Sequence, residues 1–319
     1  MTHASTDLFR NAGEGNAGVE HLPELSGIDH GVLRMPGKIY ILLPVHNRCA
    51  ITRRFIESLV RQDYNNYHLV LIDDGSTDGT EQMVRSYLND LTVITGTGDW
   101  WWAGALQQGY LWLKKQDVSV DDVVLIINDD TEIEPGYLTT GLEILKSNPH
   151  TLLVTQCYDR QTAEMVDPGT YHLDFKTRAF RTVDGDGEIN CSSTRGLFLK
   201  ISDLFSIGEF YPKLLPHYLS DVEYTYRAYR KGMILLADNR LKLSLDHEAT
   251  GFHGHDYDTS SRRMFLKNYF SNKSSDNPIY WNNFILIACP WRYKIKHVIN
   301  IWKSALQILF NRIIRGKSR

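Results

Sequence analysis

The stretch Leu69-Val70-Leu71-Ile72-Asp73-Asp74-Gly75-Ser76-Thr77-Asp78-Gly79-Thr80 decides the reading of this chain. Its four apolar residues suit a short buried strand. Two carboxylates close the strand, and a Gly/Ser/Thr turn leads into Glu81-Gln82-Met83-Val84-Arg85-Ser86-Tyr87, which reads as a helix. In an open α/β sheet, ligands bind in the crevice beyond the carboxyl ends of the strands, so these acids lie where a site belongs. Taken alone, the same letters also describe an Asp-Gly turn that caps a helix.

The preceding element narrows the choice. Lys38-Ile39-Tyr40-Ile41-Leu42-Leu43-Pro44-Val45-His46-Asn47-Arg48 is a strand ending in Pro-x-His-Asn-Arg, and Ile51, Phe55, Ile56, Leu59 and Val60 follow at near-helical spacing. Strand, helix, acidic strand, helix is a βαβ unit on a parallel sheet. A dinucleotide-binding dehydrogenase would place Gly-x-Gly-x-x-Gly after the first strand, and Val45-His46-Asn47-Arg48 stands there instead. Further on, Asp122-Val123-Val124-Leu125-Ile126-Ile127-Asn128-Asp129-Asp130-Thr131-Glu132 is another buried strand ending in acids. Carboxylates gathered at a strand end raise one another's pKa. A divalent cation relieves that cost, and Mg²⁺ typically takes one or two carboxylates plus substrate phosphates.

Together these strands resemble the family 2 glycosyltransferases, over roughly residues 38–256. The resemblance implies an α/β GT-A fold: a Rossmann-like, mostly parallel central sheet flanked by helices, here with a C-terminal helical appendage. The family's first strand ends Pro-x-Tyr/His-Asn, matched by Pro44, His46 and Asn47; its second ends Asp-Asp/Asn-x-Ser-x-Asp-Gly, matched by Asp73, Asp74, Ser76, Asp78 and Gly79. Its Asp-x-Asp metal motif stands here as Asn128-Asp129-Asp130, which implies a metal bond from Asp130 with Asp129 in support. Its Glu-Asp-x-Asp signature stands as Ser220-Asp221-Val222-Glu223, with two substitutions. Asp221 matches the general base of inverting members, and a base must reach the acceptor hydroxyl in its ionised form. An acid at a helix N-terminus that merely favours the helix dipole is the plainer reading of Asp221.

Other segments carry the resemblance less completely. Gly96-Thr97-Gly98-Asp99-Trp100-Trp101-Trp102-Ala103-Gly104-Ala105-Leu106-Gln107-Gln108-Gly109 aligns with a donor-side loop and helix, but Leu106 replaces the usual Arg and Gln107 the usual Asn. Three consecutive tryptophans cannot share one face of any regular element. Trp101 and Trp102 are candidates for stacking on a sugar, with filling of the space between domain halves as the alternative. Thr194-Arg195-Gly196 begins a Gly-containing strand on the acceptor side, so Gly196 and Glu223 join the sugar-site candidates. Leu243-Ser244-Leu245-Asp246-His247 closes another apolar strand where the family often has a His near phosphates or metal. His247 is therefore a second metal candidate, with His253 and His255 nearby left open. Tyr171 to Cys191 alternates around Asp184-Gly185-Asp186-Gly187 and reads as a hairpin.

Composition bounds the rest. The chain has 319 residues and a net charge of −3, which suits one large α/β unit with an appendage and gives no nucleic-acid footprint. Cys49, Cys157, Cys191 and Cys289 show no metal-ligand spacing and read as reduced thiols of a cytoplasmic protein. The N-terminus has neither a basic start nor an apolar run, so no signal peptide is expected. The expected organisation is a loosely held leader over 1–37, a catalytic domain over 38–256 with donor half 38–135 and acceptor half 136–256, and a basic tail over 257–319. No acid follows Asp276, while Ile295, Val298, Ile299, Trp302, Ala305, Leu306, Leu309, Ile313 and Ile314 keep a helical stripe among basic residues. Such a helix can lie on an anionic membrane surface, dock on the catalytic domain, or meet another subunit of a homo-oligomer.

The resemblance thus implies an inverting, metal-dependent hexosyltransferase-class enzyme using Mg²⁺ or Mn²⁺. Its donor is expected to be a UDP- or dTDP-linked sugar, and its acceptor a saccharide or lipid-linked saccharide in bacterial surface-polysaccharide assembly (O-antigen or capsule), as in rhamnosyltransferases. Pro44, His46, Asn47, Asp73, Asp74 and Asp129 are the donor-nucleotide candidates. The protein is expected in the cytoplasm, with a peripheral place on the inner membrane face. A sugar-nucleotide pyrophosphorylase, or a catalytically silent binder of the same fold, is the alternative; the former should carry a Gly-rich phosphate loop after the first strand.

Overall fold

The computed structural model describes residues 37–183, 185, 187–245 and 261–313. His247, His253 and His255 lie outside these residues. The first strand, β1 (Ile39–Val45), is buried along its whole length. Its side chains alternate, with Ile39, Ile41, Leu43 and Val45 in one core cluster and Tyr40 and Leu42 in another. That is how a strand covered on both faces must be built. The strand β2 (Tyr67–Asp73) repeats the pattern, sending Leu69 and Leu71 to one side and Val70 and Ile72 to the other.

Helices α1 (Cys49–Leu59), α2 (Thr80–Tyr87) and α4 (Tyr137–Ser147) supply the first cluster; α3 (Trp101–Leu113), α5 (Ile201–Ile207) and α6 (Ser220–Arg230) supply the second. The remaining strands of the main sheet are β3 (Leu91–Thr95), β4 (Val123–Ile126), β5 (Thr131–Ile133), β6 (Thr151–Asp159), β7 (Met165–Asp167), β10 (Leu197–Lys200) and β11 (Ile234–Leu245). Among the described residues the sheet has nine strands in the order β3-β2-β1-β4-β10-β6-β11-β5, with β7 on β6. The strands β3, β2, β1 and β4 run parallel, whereas β10 is antiparallel to both its neighbours. Chain order reverses between β1 and β4, and that switch point opens a crevice at their carboxyl ends.

The expected hairpin is present, but it turns earlier than the sequence suggests. Strands β8 (Tyr171–Asp174) and β9 (Ala179–Thr182) pair antiparallel around Phe175–Arg178. Asp174 closes the turn by accepting from Lys176 N at 2.7 Å and Thr177 Oγ1 at 2.9 Å. This local Asx geometry wins over the later Asp-Gly repeat.

After α7 (Arg262–Tyr269), the chain forms α8 (Pro278–Ala288) and α9 (Trp291–Ile313). Phe284 and Ile285 of α8 and Ile301 of α9 share a core cluster with Phe175, Leu215 and Tyr226. His297 Nε2 lies 2.6 Å from Phe175 O, and since a carbonyl can only accept, the imidazole donates. The C-terminal helices α8 and α9 therefore dock against α6 and the turn of the β8–β9 hairpin.

Gly196, a sugar-site candidate from sequence, has a packing role. Its φ is +71°, and an added Cβ would lie 2.5 Å from Tyr137 Oη and 2.8 Å from Thr155 Oγ1. These hydroxyls are 2.8 Å apart, and Thr155 Oγ1 donates to Gly196 O at 2.6 Å. Gly196→Ala is expected to destabilise the fold by about 1–3 kcal/mol through overpacking and backbone strain. An unchanged melting temperature would refute this.

Candidate active site

The acids of the motif loops have separate tasks. Asp78 Oδ2 accepts Cys49 N at 2.8 Å, capping the start of α1, and its Oδ1 accepts from Thr80. The Thr80 hydroxyl is the main reason its pKa is lowered. Gly79 begins α2 at φ 84°, a conformation that favours glycine. Asp73 Oδ1 accepts Ser76 N at 2.8 Å. Asp74 Oδ1 accepts Gly98 N at 2.7 Å, while Oδ2 accepts Trp100 N at 2.8 Å and Trp101 N at 3.3 Å. Both oxygens of Asp74 thus fix the entry to α3, where Trp101 holds a φ of 57°. Such a backbone is costly for a bulky residue, and strain of this kind gathers at functional sites.

The Pro-x-His-Asn-Arg turn is tied to the same loop. His46 Nδ1 is 2.6 Å from the Asp74 carbonyl, so Nδ1 carries the proton; Nε2 is 3.2 Å from Asn47 Nδ2, which donates to it. Asn47 donates from its backbone to Ser76 Oγ and accepts Thr77 N at 2.8 Å. These bonds lock the ends of β1 and β2 together.

At the end of β4, Arg48 bridges two carboxylates: Nη1 to Asp129 Oδ1 at 3.0 Å and Nη2 to Asp130 Oδ2 at 3.3 Å. Asp129 also accepts Thr52 Oγ1 at 2.9 Å. Burial pushes the Asp129 pKa up to about 6 against the pull of Arg48. Asp130 differs in a way that matters for chemistry. Its Oδ1, like Asn128 Oδ1, is buried with no hydrogen-bond partner among the described residues. Buried polar oxygens without partners are rare and call for an explanation such as an ion. Among the described residues no three His, Cys, Asp or Glu side chains gather as a metal cluster. One carboxylate with an orphaned oxygen, completed by substrate phosphates, is a donor set that fits Mg²⁺ or Mn²⁺.

These groups open onto a cavity of about 560 Å³ whose walls include Pro44, His46, Asp74, Trp101, Trp102, Asp129 and Asp130. A second cavity of about 390 Å³ is lined by Asp167, Tyr171, Asp221 and Val222. Trp102, Asn128, Arg195, His217 and Tyr218 line both, so the two form one trough. Asp221 Oδ1 accepts Val222 N at 2.8 Å. Burial raises its pKa; Val222 N–H and Arg195 oppose that, and Asp167 adds to it.

The trough therefore joins Pro44, His46, Asp74, Asp129, Asp130, Trp101, Trp102 and Asp221 from the sequence candidates. Asn47, Asp73 and Gly196 are not among its described lining residues. Glu223 lies elsewhere, buried and held by Arg227 through two bonds of 2.8 and 2.9 Å, in the wall of a different pocket. Glu223 faces away from the trough, because side chains two positions apart on a helix point about 200° apart.

Sequence reasoning missed Arg48, Arg195, His217, Tyr218 and Lys273. Arg48 belongs to the Pro-x-His-Asn-Arg motif and carried a local signal. His217 has a buried Nδ1 without a partner among the described residues and packs edge-on to Trp101. Burial, then Lys273, lowers its pKa. Lys273 and Ser275 reach the larger cavity from the segment before α8, a long-range placement without a local pattern.

Known proteins resemble this chain in sequence and in fold. The model of Glycosyl transferase family 2 matches residues 40–205, which run from β1 through α5. A glycosyltransferase of Rickettsia prowazekii (strain Madrid E), described as uncharacterized, is 25% identical over 153 residues, 42% of this chain and 46% of that one. The chain thus spans just under half the length of that relative. An Escherichia coli (strain K12) glycosyl transferase, named provisionally for colanic acid biosynthesis, is 29% identical over 107 residues, 33% of this chain and 36% of that one. Among solved structures, a mannosyltransferase from Pyrobaculum calidifontis in complex with GDP-Man and Mn²⁺ aligns with a TM-score of 0.51. It covers 86% of this chain and 76% of its own at 17% identity, a likeness of fold. The sheet with its curled, helix-covered faces is the GT-A arrangement, and the chain belongs to glycosyl transferase family 2.

Proposed function

We propose that the protein is an inverting glycosyltransferase that moves a sugar from a UDP- or dTDP-linked donor to a saccharide or lipid-linked saccharide acceptor. Bacterial surface-polysaccharide synthesis is the proposed setting, at the cytoplasmic face of the membrane. The observation that carries this reading is the trough itself. It places Asp130, with its orphaned oxygen, in one cavity and Asp221 in the next, across a shared wall.

In this reading the donor occupies the larger cavity. Pro44 and His46 line the nucleotide end, and Trp101 and Trp102 offer ring faces to the sugar. Arg48 and Lys273 bring positive charge to the same cavity, complementary to a diphosphate. Asp130 would hold Mg²⁺ or Mn²⁺, and a bound divalent cation supplies Lewis-acid stabilisation of charge on the departing nucleoside diphosphate. Asp74 and Asp129 position the walls: the first fixes the entry to α3, and the second anchors Arg48.

The acceptor occupies the smaller cavity. Asp221 Oδ1 is committed to Val222 N, so Oδ2 takes the proton from the acceptor hydroxyl. That oxygen then attacks the anomeric carbon from the face opposite the leaving group. The new glycosidic bond forms as the bond to the diphosphate oxygen breaks, and a single displacement inverts the configuration. Product formation from a panel of UDP-, dTDP- and GDP-sugars with Mn²⁺ tests the reading. Transfer with inversion supports it, whereas binding without product, or nucleotide exchange at the sugar phosphate, would replace it.

The raised pKa of Asp221 sets a pH dependence. The base works ionised, so kcat rises with pH through the raised pKa and is lost below it. Arg195 holds that pKa down and Asp167 pushes it up. Arg195→Gln is therefore expected to move the acid limb of kcat to higher pH. A limb that stays in place, or moves to lower pH, would separate Arg195 from the titration of Asp221.

A further inference from the structure

Helix α9 buries one face and leaves a second apolar face in solvent. Ile301 and Ala305 are buried, with His297 bonded to Phe175 O beneath them. On the other side Trp291, Ile295, Ile299, Trp302, Leu306 and Phe310 are 85%, 76%, 59%, 39%, 65% and 46% exposed. Their spacing of four, four, three, four and four residues keeps them on one stripe of the helix, about 28 Å long at ~1.5 Å per residue. An apolar stripe of this extent on a water-soluble surface marks an interaction site.

The charge around the stripe identifies what covers it. Arg292, Lys296 and Lys303 are exposed beside it, and no Asp or Glu follows Asp276 in the chain. Two copies paired through this face would bring like charges together with no acid on α9 between them. A bilayer carrying anionic lipid instead supplies the opposite charge and an apolar layer below it. No helix among the described residues is long and apolar enough to cross a membrane, and tryptophans at two points of the stripe suit the interface.

We propose that the solvent face of α9 is a docking surface for an anionic lipid bilayer. The six stripe residues enter the boundary between headgroups and acyl chains, and Arg292, Lys296 and Lys303 meet lipid phosphates. Because the opposite face is packed on the acceptor half, docking fixes the catalytic trough relative to the membrane. Lys273 and Ser275 line the donor cavity just ahead of α8, and Trp281 Nε1 of α8 donates to Ser275 O at 2.9 Å. The surface serves the lipid-linked acceptor of the proposed function, but it can be tested without donor or acceptor.

Flotation of the full chain with vesicles of phosphatidylcholine, with and without phosphatidylglycerol, tests the proposal. Binding is expected only with phosphatidylglycerol and should weaken as salt screens the charges. Ile299→Asp with Leu306→Asp should reduce the bound fraction by about tenfold or more, and Lys296→Gln with Lys303→Gln should weaken it at low salt. Both pairs alter exposed positions, so melting temperatures should hold. The charge pair keeps the test open if the apolar pair fails to fold. Absence of flotation at low salt overturns the proposal, as does binding indifferent to both pairs. Light scattering that shows a dimer of the wild type dispersed by Ile299→Asp with Leu306→Asp, without flotation, assigns the face to a second copy instead. Flotation together with failed transfer from every sugar nucleotide would leave this surface standing and remove the catalytic reading.

Discussion

Asp130→Ala should lower transfer by on the order of 10³-fold, the scale of losing several kcal/mol of Lewis-acid stabilisation. Donor affinity should fall with it, because the diphosphate loses its counter-charge. The reason lies in one atom: Asp130 Oδ1 is buried and has no hydrogen-bond partner among the described residues. The fold should survive, since Arg48 keeps its 3.0 Å contact with Asp129. EDTA should inactivate the wild type and Mn²⁺ restore it, and Asp130→Ala should not be restored. The control is a melting temperature close to that of the wild type. Full activity of Asp130→Ala, or indifference of the wild type to EDTA, would remove the metal from this mechanism.

Asp221→Asn should lower kcat by about 10²–10⁴-fold, the usual contribution of a positioned general base. Asparagine keeps an Oδ1 that can accept the Val222 amide, which Asp221 holds at 2.8 Å. It has no carboxylate to take the acceptor proton. Donor Kd should hardly change, because Asp221 faces the smaller cavity and Asp130 the larger. The split between kcat and Kd is the diagnostic. Should donor binding collapse while turnover at saturation persists, Asp221 would be a structural residue of the donor side.

Much of this protein was legible in its sequence for a physical reason: local patterns carry local structure. Leu69 to Ile72 and Ile39 to Val45 fill buried strands whose side chains serve two faces, and unbroken apolar runs of that length announce such strands. Pro44, His46, Asp74, Asp129, Asp130 and Asp221 sit at strand ends or a helix start, and they meet in one trough because the sheet reverses order between β1 and β4. An amphipathic tail helix was equally plain, since period and charge suffice to show one. The stripe read from sequence mixed both faces, however: Ala305 is buried and Val298 and Leu309 pack on core clusters, whereas Ile295, Ile299, Trp302 and Leu306 are exposed.

Only the tertiary structure could divide the work among the acids. Asp73, Asp74 and Asp78 look alike on paper, yet each satisfies backbone N–H groups of neighbouring loops and helix starts; Asp130 alone of the motif acids keeps a buried oxygen without a partner among the described residues. Glu223 follows Asp221 by two positions, and helical rotation turns it to Arg227. Lys273 and Arg48 stand far apart in the chain and meet in one cavity, a consequence of chain folding that has no local signature. The tail combines both levels. Sequence period made α9 amphipathic, and packing decided that Ile301 faces the cluster around Phe175 and Tyr226 and Ala305 faces Phe265 and Tyr269 of α7, while Ile295, Ile299 and Leu306 face solvent, because only one side of a docked helix can touch the body that holds it.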